Sequence, residues 1–73
     1  MSDADELIRR IANARDWAKS EEDRFEDLAN RGLGPDGEPG RHGAIASASW
    51  SNTYNAIRAV LDEIVEPGKH SAS

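Results

Sequence analysis

Apolar residues between positions 7 and 28 recur at alternating steps of four and three, which is the spacing of one face of an α-helix. The stripe consists of Leu7, Ile11, Ala14, Ala18, Glu21, Phe25 and Leu28. Charged residues at i,i+4 spacing, such as Lys19 and Asp23, indicate that the opposite side faces water. The pattern predicts a first helix over residues 4–31, with Glu21 as the one polar interruption of its stripe.

Capping signals mark both ends of this helix. Asp3 followed three residues later by Glu6 has the spacing of a capping box and predicts the start. At the other end, Gly32 is predicted to adopt the left-handed conformation and to bring Leu33 against Leu28 in a Schellman motif. Residues 32–43 are rich in Gly and Pro and predict a connector that ends the helix.

A second apolar stripe predicts a second helix over residues 44–66, which Pro67 and Gly68 terminate. This stripe consists of Ala46, Trp50, Thr53, Tyr54, Ile57, Val60, Leu61 and Ile64. Trp50 and Tyr54 are expected to pack in the core. The single domain is predicted to cover residues 1–68, and residues 69–73 to form a disordered tail.

The rear of the second helix differs from that of the first because it is almost uncharged. From His42 to Leu61, Arg58 is the only formally charged side chain. The rear carries Ile45, Ala48, Ser49, Asn52, Asn55, Ala56 and Ala59. A helix with water on its back normally carries charges there, so this helix is predicted to pack on more than one side. The alternative is that the rear is exposed and merely neutral.

Size and composition favour association with a second chain. A domain of 73 residues is near the lower limit for a self-sufficient core, and Ala supplies 11 of the residues behind the 37% hydrophobic fraction. Without Cys, neither disulfides nor thiolate zinc sites are available, which leaves oligomerisation. The predicted fold is an all-α, two-helix antiparallel hairpin that dimerises into a four-helix bundle. The expected interface comprises Trp50, Tyr54, Ile57, Leu61, Ile64, Ala48, Asn52 and Ala59. A hetero-oligomer fits the same pattern.

The net charge of −5 argues against direct binding to nucleic acid or to anionic membranes, which require clustered Lys and Arg. No apolar run of about 18 residues is present, and the acidic N-terminal segment is unlike a signal peptide. A cytoplasmic protein is therefore expected. Seven Arg against two Lys, with abundant Ala and Gly, favours a GC-rich genome such as that of an actinobacterium or its phage.

The densest charge cluster is acidic and spans residues 21–27. It has three interpretations: a solvated helix face, an acidic patch that binds a partner, or a divalent-cation site. In the third, Glu22 and Glu26 would share the ion with a carboxylate of the facing helix, Asp62 or Glu66. The acidic motif of all-helical nucleotide pyrophosphohydrolases is not met, because Phe25 stands where its third acid belongs. The solvated face is favoured.

Other motifs in the chain have structural explanations. Residues 32–37 match the G-x-G-x-x-G pattern, but a helix precedes them, Pro35 removes an amide donor and Asp36 would repel phosphate. His42 and His70 lack a second ligand at metal-binding spacing. Three serines, Ser47, Ser49 and Ser51, flank Trp50 without a placed histidine and are interpreted as helix-surface or N-terminal capping residues.

These features lead to two main functional hypotheses, neither of which involves catalysis, a metal or another cofactor; a metal-dependent hydrolase is a third and less favoured one. The first is a protein–protein interaction module, a small adaptor or regulator. The second is an acidic inhibitor that presents the carboxylates of the first helix to a basic nucleic-acid-binding surface. Trp17, at the margin of its stripe, suits either the core or an interface. The partner-binding candidates are Trp17, Glu21, Glu22, Asp23, Glu26 and Asp27.

Overall fold

Two antiparallel helices lie side by side in the computed structural model, which describes residues 2–68. Helix α1 spans Asp3–Asn30 and helix α2 spans Arg41–Val65. The hairpin is a single layer, because the described residues form two helices that pack on each other and no third element covers either of them. The prediction of an all-helical hairpin is confirmed. The predicted tail, residues 69–73, lies outside the described residues.

The C-terminal cap of α1 is the predicted one, whereas the N-terminal cap differs from the prediction by one residue. The N-cap is Ser2 rather than Asp3, because the Ser2 hydroxyl accepts a hydrogen bond of 3.2 Å from the Asp5 amide. At the C-terminal end Gly32 has φ of 72°, and the Leu33 amide donates to the Leu28 carbonyl at 2.8 Å. This bond is the defining contact of the predicted Schellman motif, which is confirmed.

The connector is short because α2 begins at Arg41, three residues before the predicted start. Leu33 and Pro39 form an isolated antiparallel bridge that closes the loop. Gly43, assigned to the connector by its sequence context, lies in the first turn of α2 against Gly34. A Cβ atom on Gly43 would stand 2.8 Å from the Gly34 Cα, so the glycine permits a close approach of helix to loop.

The seam between the helices is more polar than the apolar stripes predicted. The buried residues of the two helices are the hydrophobic Ala18 and Phe25 and the polar Glu22, Ser47 and Asp62. The α2 side of the seam follows helical spacing through Ser47, Ser51, Tyr54, Arg58 and Asp62. Small side chains and paired charges occupy the positions that face α1, and the α2 apolar stripe is turned to one flank.

Trp50 was expected to pack in the core, but within one hairpin it is not buried, since 46% of this residue remains exposed. Tyr54 is half-buried and does contact α1. Within residues 2–68, neither helix has the length and apolar character needed to cross a bilayer.

Candidate protein-binding face

Four aromatic residues form a cluster on one flank of the seam. Phe25, which is buried, stacks on Tyr54 with ring centroids 5.8 Å apart and on Trp50 at 6.0 Å. Trp17 meets the edge of Tyr54 at 5.4 Å, with the ring planes 85° apart. These are favourable aromatic geometries. The two tryptophans stay exposed, Trp17 by 56%, so the cluster ends in an open aromatic surface.

Aliphatic residues of α2 extend this surface along the helix. Trp50, Ile57 and Ile64 are seven residues apart and therefore lie on one stripe, and Val60 lies beside them. All four are exposed, Val60 by 61%. We call the exposed large hydrophobic residues of this flank the aromatic face: Leu7, Trp17, Trp50, Ile57, Val60 and Ile64. Ile8 and Ile45 are also exposed but lie at other positions around their helices.

The opposite flank of the seam, which we call the polar face, carries a network of charged and amide groups. The Arg58 guanidinium donates to Glu22 at 2.8 Å and to Asp62 at 3.0 Å. The Asn55 amide donates to the second Glu22 oxygen at 3.0 Å. Arg15 of α1 lies 3.5 Å from Asp62, so carboxylates and guanidinium groups alternate across the two helices.

This network changes the acidity of its members. The hydrogen bond from Arg58 lowers the pKa of Glu22 below its ordinary value of 4.5, although burial opposes the shift, and the Asn55 amide and the charge of Arg58 add to the lowering. The same contact with Glu22 raises the pKa of Arg58. Glu22, only 8% exposed, is therefore held as a carboxylate between the helices.

Two serine hydroxyls connect α2 to backbone carbonyls of the rest of the chain. Ser47 donates to the Leu33 carbonyl at 2.7 Å and Ser51 to the Glu22 carbonyl at 3.2 Å. Ser47 is fully buried, so its interpretation as a surface or capping residue was wrong. Because both side chains are small, they let the helices come close and satisfy polar backbone groups at the same time.

The structure divides the expected interface residues between the two flanks. Trp50, Tyr54, Ile57, Leu61 and Ile64 belong to the aromatic flank. Ala48 and Asn52 line a groove of the polar face together with Glu22, Glu26 and Asn55, and Ala59 lies at a helical position on the same side. One flat contact with a second chain therefore cannot cover both subsets.

The acidic segment is also divided. Glu22 is buried, so the expectation of a solvated segment is wrong at this position. Its neighbours pair with cations of their own chain: Glu21 with Arg24 at 2.7 Å, Asp23 with Lys19 at 3.1 Å, and Asp27 with Arg31 at 3.4 Å. Glu26 is exposed beside the polar groove. The segment consequently presents less free negative charge than its composition indicates.

The divalent-cation hypothesis placed a metal ion between carboxylates of the two helices, among them Glu22 and Asp62. In the structure the guanidinium of Arg58 lies between these two carboxylates. No group of three metal-ligating side chains occurs in the part of the chain that the structure describes.

In the glycine loop, the Gly34 amide donates to the Glu38 carbonyl and the Gly37 amide to the Gly34 carbonyl. These amides serve the turn, as the sequence interpretation of this loop expected.

Sequence reasoning missed the polar network because the i,i+4 spacing pairs Arg58 with Asp62 of the same helix, but nothing in the pattern pairs it with Glu22 of the other helix. The available signal was the isolation of Arg58 on an otherwise neutral stretch of α2. A lone charge in such a stretch indicates a specific partner, and the structure identifies that partner as Glu22.

No family model, no curated protein and no solved structure matches this chain.

Proposed function

We propose that this protein is a non-catalytic protein–protein interaction module, a small adaptor or regulator, that acts as a homodimeric four-helix bundle. The observation that carries the proposal is the aromatic face, where two tryptophans and four aliphatic residues stay exposed on one side of a one-layer hairpin. Stable helical domains normally bury such a face against a second layer of secondary structure. A second hairpin supplies that layer.

The area of the aromatic face suits a dimer. Its six exposed side chains offer on the order of 100 Å² each. Their sum, on the order of 600 Å², approaches the roughly 800 Å² that each partner buries in a standard interface. Half-buried neighbours such as Tyr54 and Leu61 supply further area. A patch of this size is at the upper end of what monomeric proteins leave in water.

Dimerisation through the aromatic face leaves the charged outer side of α1 and the polar face accessible. A second, different protein would bind there. Lys19, Asp23, Asp27 and Arg31 lie on this accessible surface as ion pairs, so recognition would use polar contacts in addition to any protruding side chain.

The alternative, an acidic inhibitor that mimics nucleic-acid charge, has weaker support. Charge mimicry requires free carboxylates, whereas Glu21, Glu22, Asp23 and Asp27 each face a cation of the same chain. Salt separates the two functions. Mimicry predicts that affinity for a basic protein falls steeply as ionic strength rises, whereas association through the aromatic face predicts a dimer that depends weakly on salt and that Trp17→Ala weakens.

Sedimentation equilibrium of paired variants tests the proposed assembly. Ile57→Glu places a charge in the aromatic face, and Asn52→Glu places the same charge in the polar face as a matched control. We expect Ile57→Glu to weaken dimerisation by about 100-fold or more, and Asn52→Glu to leave it unchanged. Equal behaviour of the two variants would contradict an interface on the aromatic face.

A further inference from the structure

We infer that the second copy docks with its α2 antiparallel against α2 of the first, and that the two-fold axis passes beside Ile57. This inference rests on the proposed homodimer and specifies which surfaces meet. It makes α2 the centre of the bundle and places α1 at the edge.

The spacing of exposed residues on α2 is symmetric about Ile57. Trp50 lies seven residues before it and Ile64 seven residues after it, and all three share one stripe. Tyr54 and Val60 lie three residues to either side. An antiparallel pair of such helices brings Ile57 opposite its own copy and Trp50 opposite Ile64 of the second chain. Every large side chain then meets an apolar one, which is the self-complementarity that a two-fold interface requires.

Charge supports the same orientation. From Gly43 to Ile57 α2 has no formally charged side chain, and Arg58 points into the seam, where it bonds Glu22 and Asp62. In the antiparallel pair this neutral half of α2 lies opposite the half of the second copy that carries Asp62, Glu63 and Glu66, whereas a parallel pair would bring the two acidic halves together. The contact also fits a heptad-like repeat of apolar residues, the pattern by which helices pack at shallow angles.

The α1 side of the aromatic face is less suited to the centre. Arg10 and Arg24 lie seven residues before and after Trp17, on the same stripe. Arg10 bonds Glu6, and Arg24 bonds Glu21 and stacks over Phe25 at 4.3 Å. Placing this stripe over α2 of the second chain would remove two guanidinium groups from water against apolar residues. With α1 at the edge of the bundle, both arginines stay hydrated.

Single-cysteine cross-linking tests the orientation, because the chain contains no Cys. Thiols that face each other across the axis meet the Cα spacing of a disulfide, whereas thiols elsewhere do not. We expect Ile57→Cys to form a disulfide dimer about 100-fold faster than Ile45→Cys at micromolar concentration, since facing thiols have a millimolar effective concentration. Ile45 is the matched control because it is exposed on α2 away from the stripe.

Mixtures of two single-cysteine variants show whether the two α2 helices run antiparallel or parallel, and whether α2 or α1 of the second copy meets α2 of the first. The antiparallel pair predicts a Trp50→Cys with Ile64→Cys heterodimer and little self-linking of either variant. Self-linking of both would show a parallel pair and overturn the inference. Efficient linking of Trp17→Cys with Ile57→Cys, without Ile57→Cys self-linking, would show α1 over α2 and also overturn it. In both cases the dimer of the proposed function survives, whereas a wild-type chain that is monomeric by light scattering removes the dimer itself.

Discussion

Arg58 of α2 donates to Glu22 of α1 across the seam at 2.8 Å, and this ion pair joins two residues that are 36 positions apart in the chain. Glu22 is buried, and Arg58 is the one formally charged side chain between His42 and Leu61. The pair fixes the register of the hairpin, because a shift of either helix by one residue would rotate one partner off the seam. That register is also what gathers the aromatic residues on a single flank.

Acid should weaken the hairpin through this carboxylate. The folded protein holds the pKa of Glu22 below its ordinary value of 4.5, so the contribution of Glu22 to stability is fully present above that value. It is lost as the pH falls through the lowered pKa. Thermal unfolding of the wild type and of Glu22→Gln, followed by circular dichroism between pH 7 and pH 3, should show a stability gap that closes at low pH. A gap that is constant with pH would contradict the pairing.

The magnitude of the effect at neutral pH is a separate prediction. Glu22→Gln should destabilise the protein by about 1.5 kcal/mol, because a charge-assisted hydrogen bond is lost in a buried position. The matched control is Glu26→Gln, one turn further along α1 and exposed beside the same groove. It should change stability by no more than about 0.5 kcal/mol. Chemical unfolding at a fixed chain concentration measures both; similar losses for the two variants would refute the assignment.

Gly43 gives a test of the connector. A glycine-to-alanine change inside a helix normally stabilises it by about 1 kcal/mol. Here the added methyl group would stand 2.8 Å from the Gly34 Cα and 3.1 Å from the Gly34 nitrogen, both of which are backbone atoms. Gly43→Ala is therefore expected to destabilise the protein by about 1–3 kcal/mol. Ser49→Ala, at an exposed position of α2, is the control and should be close to neutral. A stabilised Gly43→Ala would show that helix and loop are not in contact.

The helices and the Schellman motif could be predicted from the sequence because both depend on local spacing. The i,i+3 and i,i+4 recurrence of apolar residues defines a helix whatever it packs against, and Gly32 after Leu28 suffices for the cap. The faces that meet could not be predicted. The pattern directs Trp50, Ile57 and Ile64 inward, whereas in a one-layer hairpin a flank is the only place for them.

The residues that line the seam between the helices could not be predicted from the sequence either. Serine is typical of solvent-exposed helix positions, yet the small size of Ser47 and Ser51 lets α2 approach α1, and their hydroxyls donate to backbone carbonyls. Glu22 belongs to a chain with 14 acidic residues, and helical spacing fits Glu21 and Glu22 equally well, since either one can stand between Ala18 and Phe25 on a stripe. Its role depends on a contact between distant segments, which only the tertiary structure reveals.

One hairpin leaves its own aromatic face open, and we propose that a second copy covers it. The most direct test is the molar mass in solution, measured by light scattering across a dilution series. We predict twice the 8.0 kDa of one chain at micromolar concentration, with dissociation on dilution and a melting temperature that rises with concentration. A mass of one chain throughout, with a cooperative melt independent of concentration, would contradict the claim.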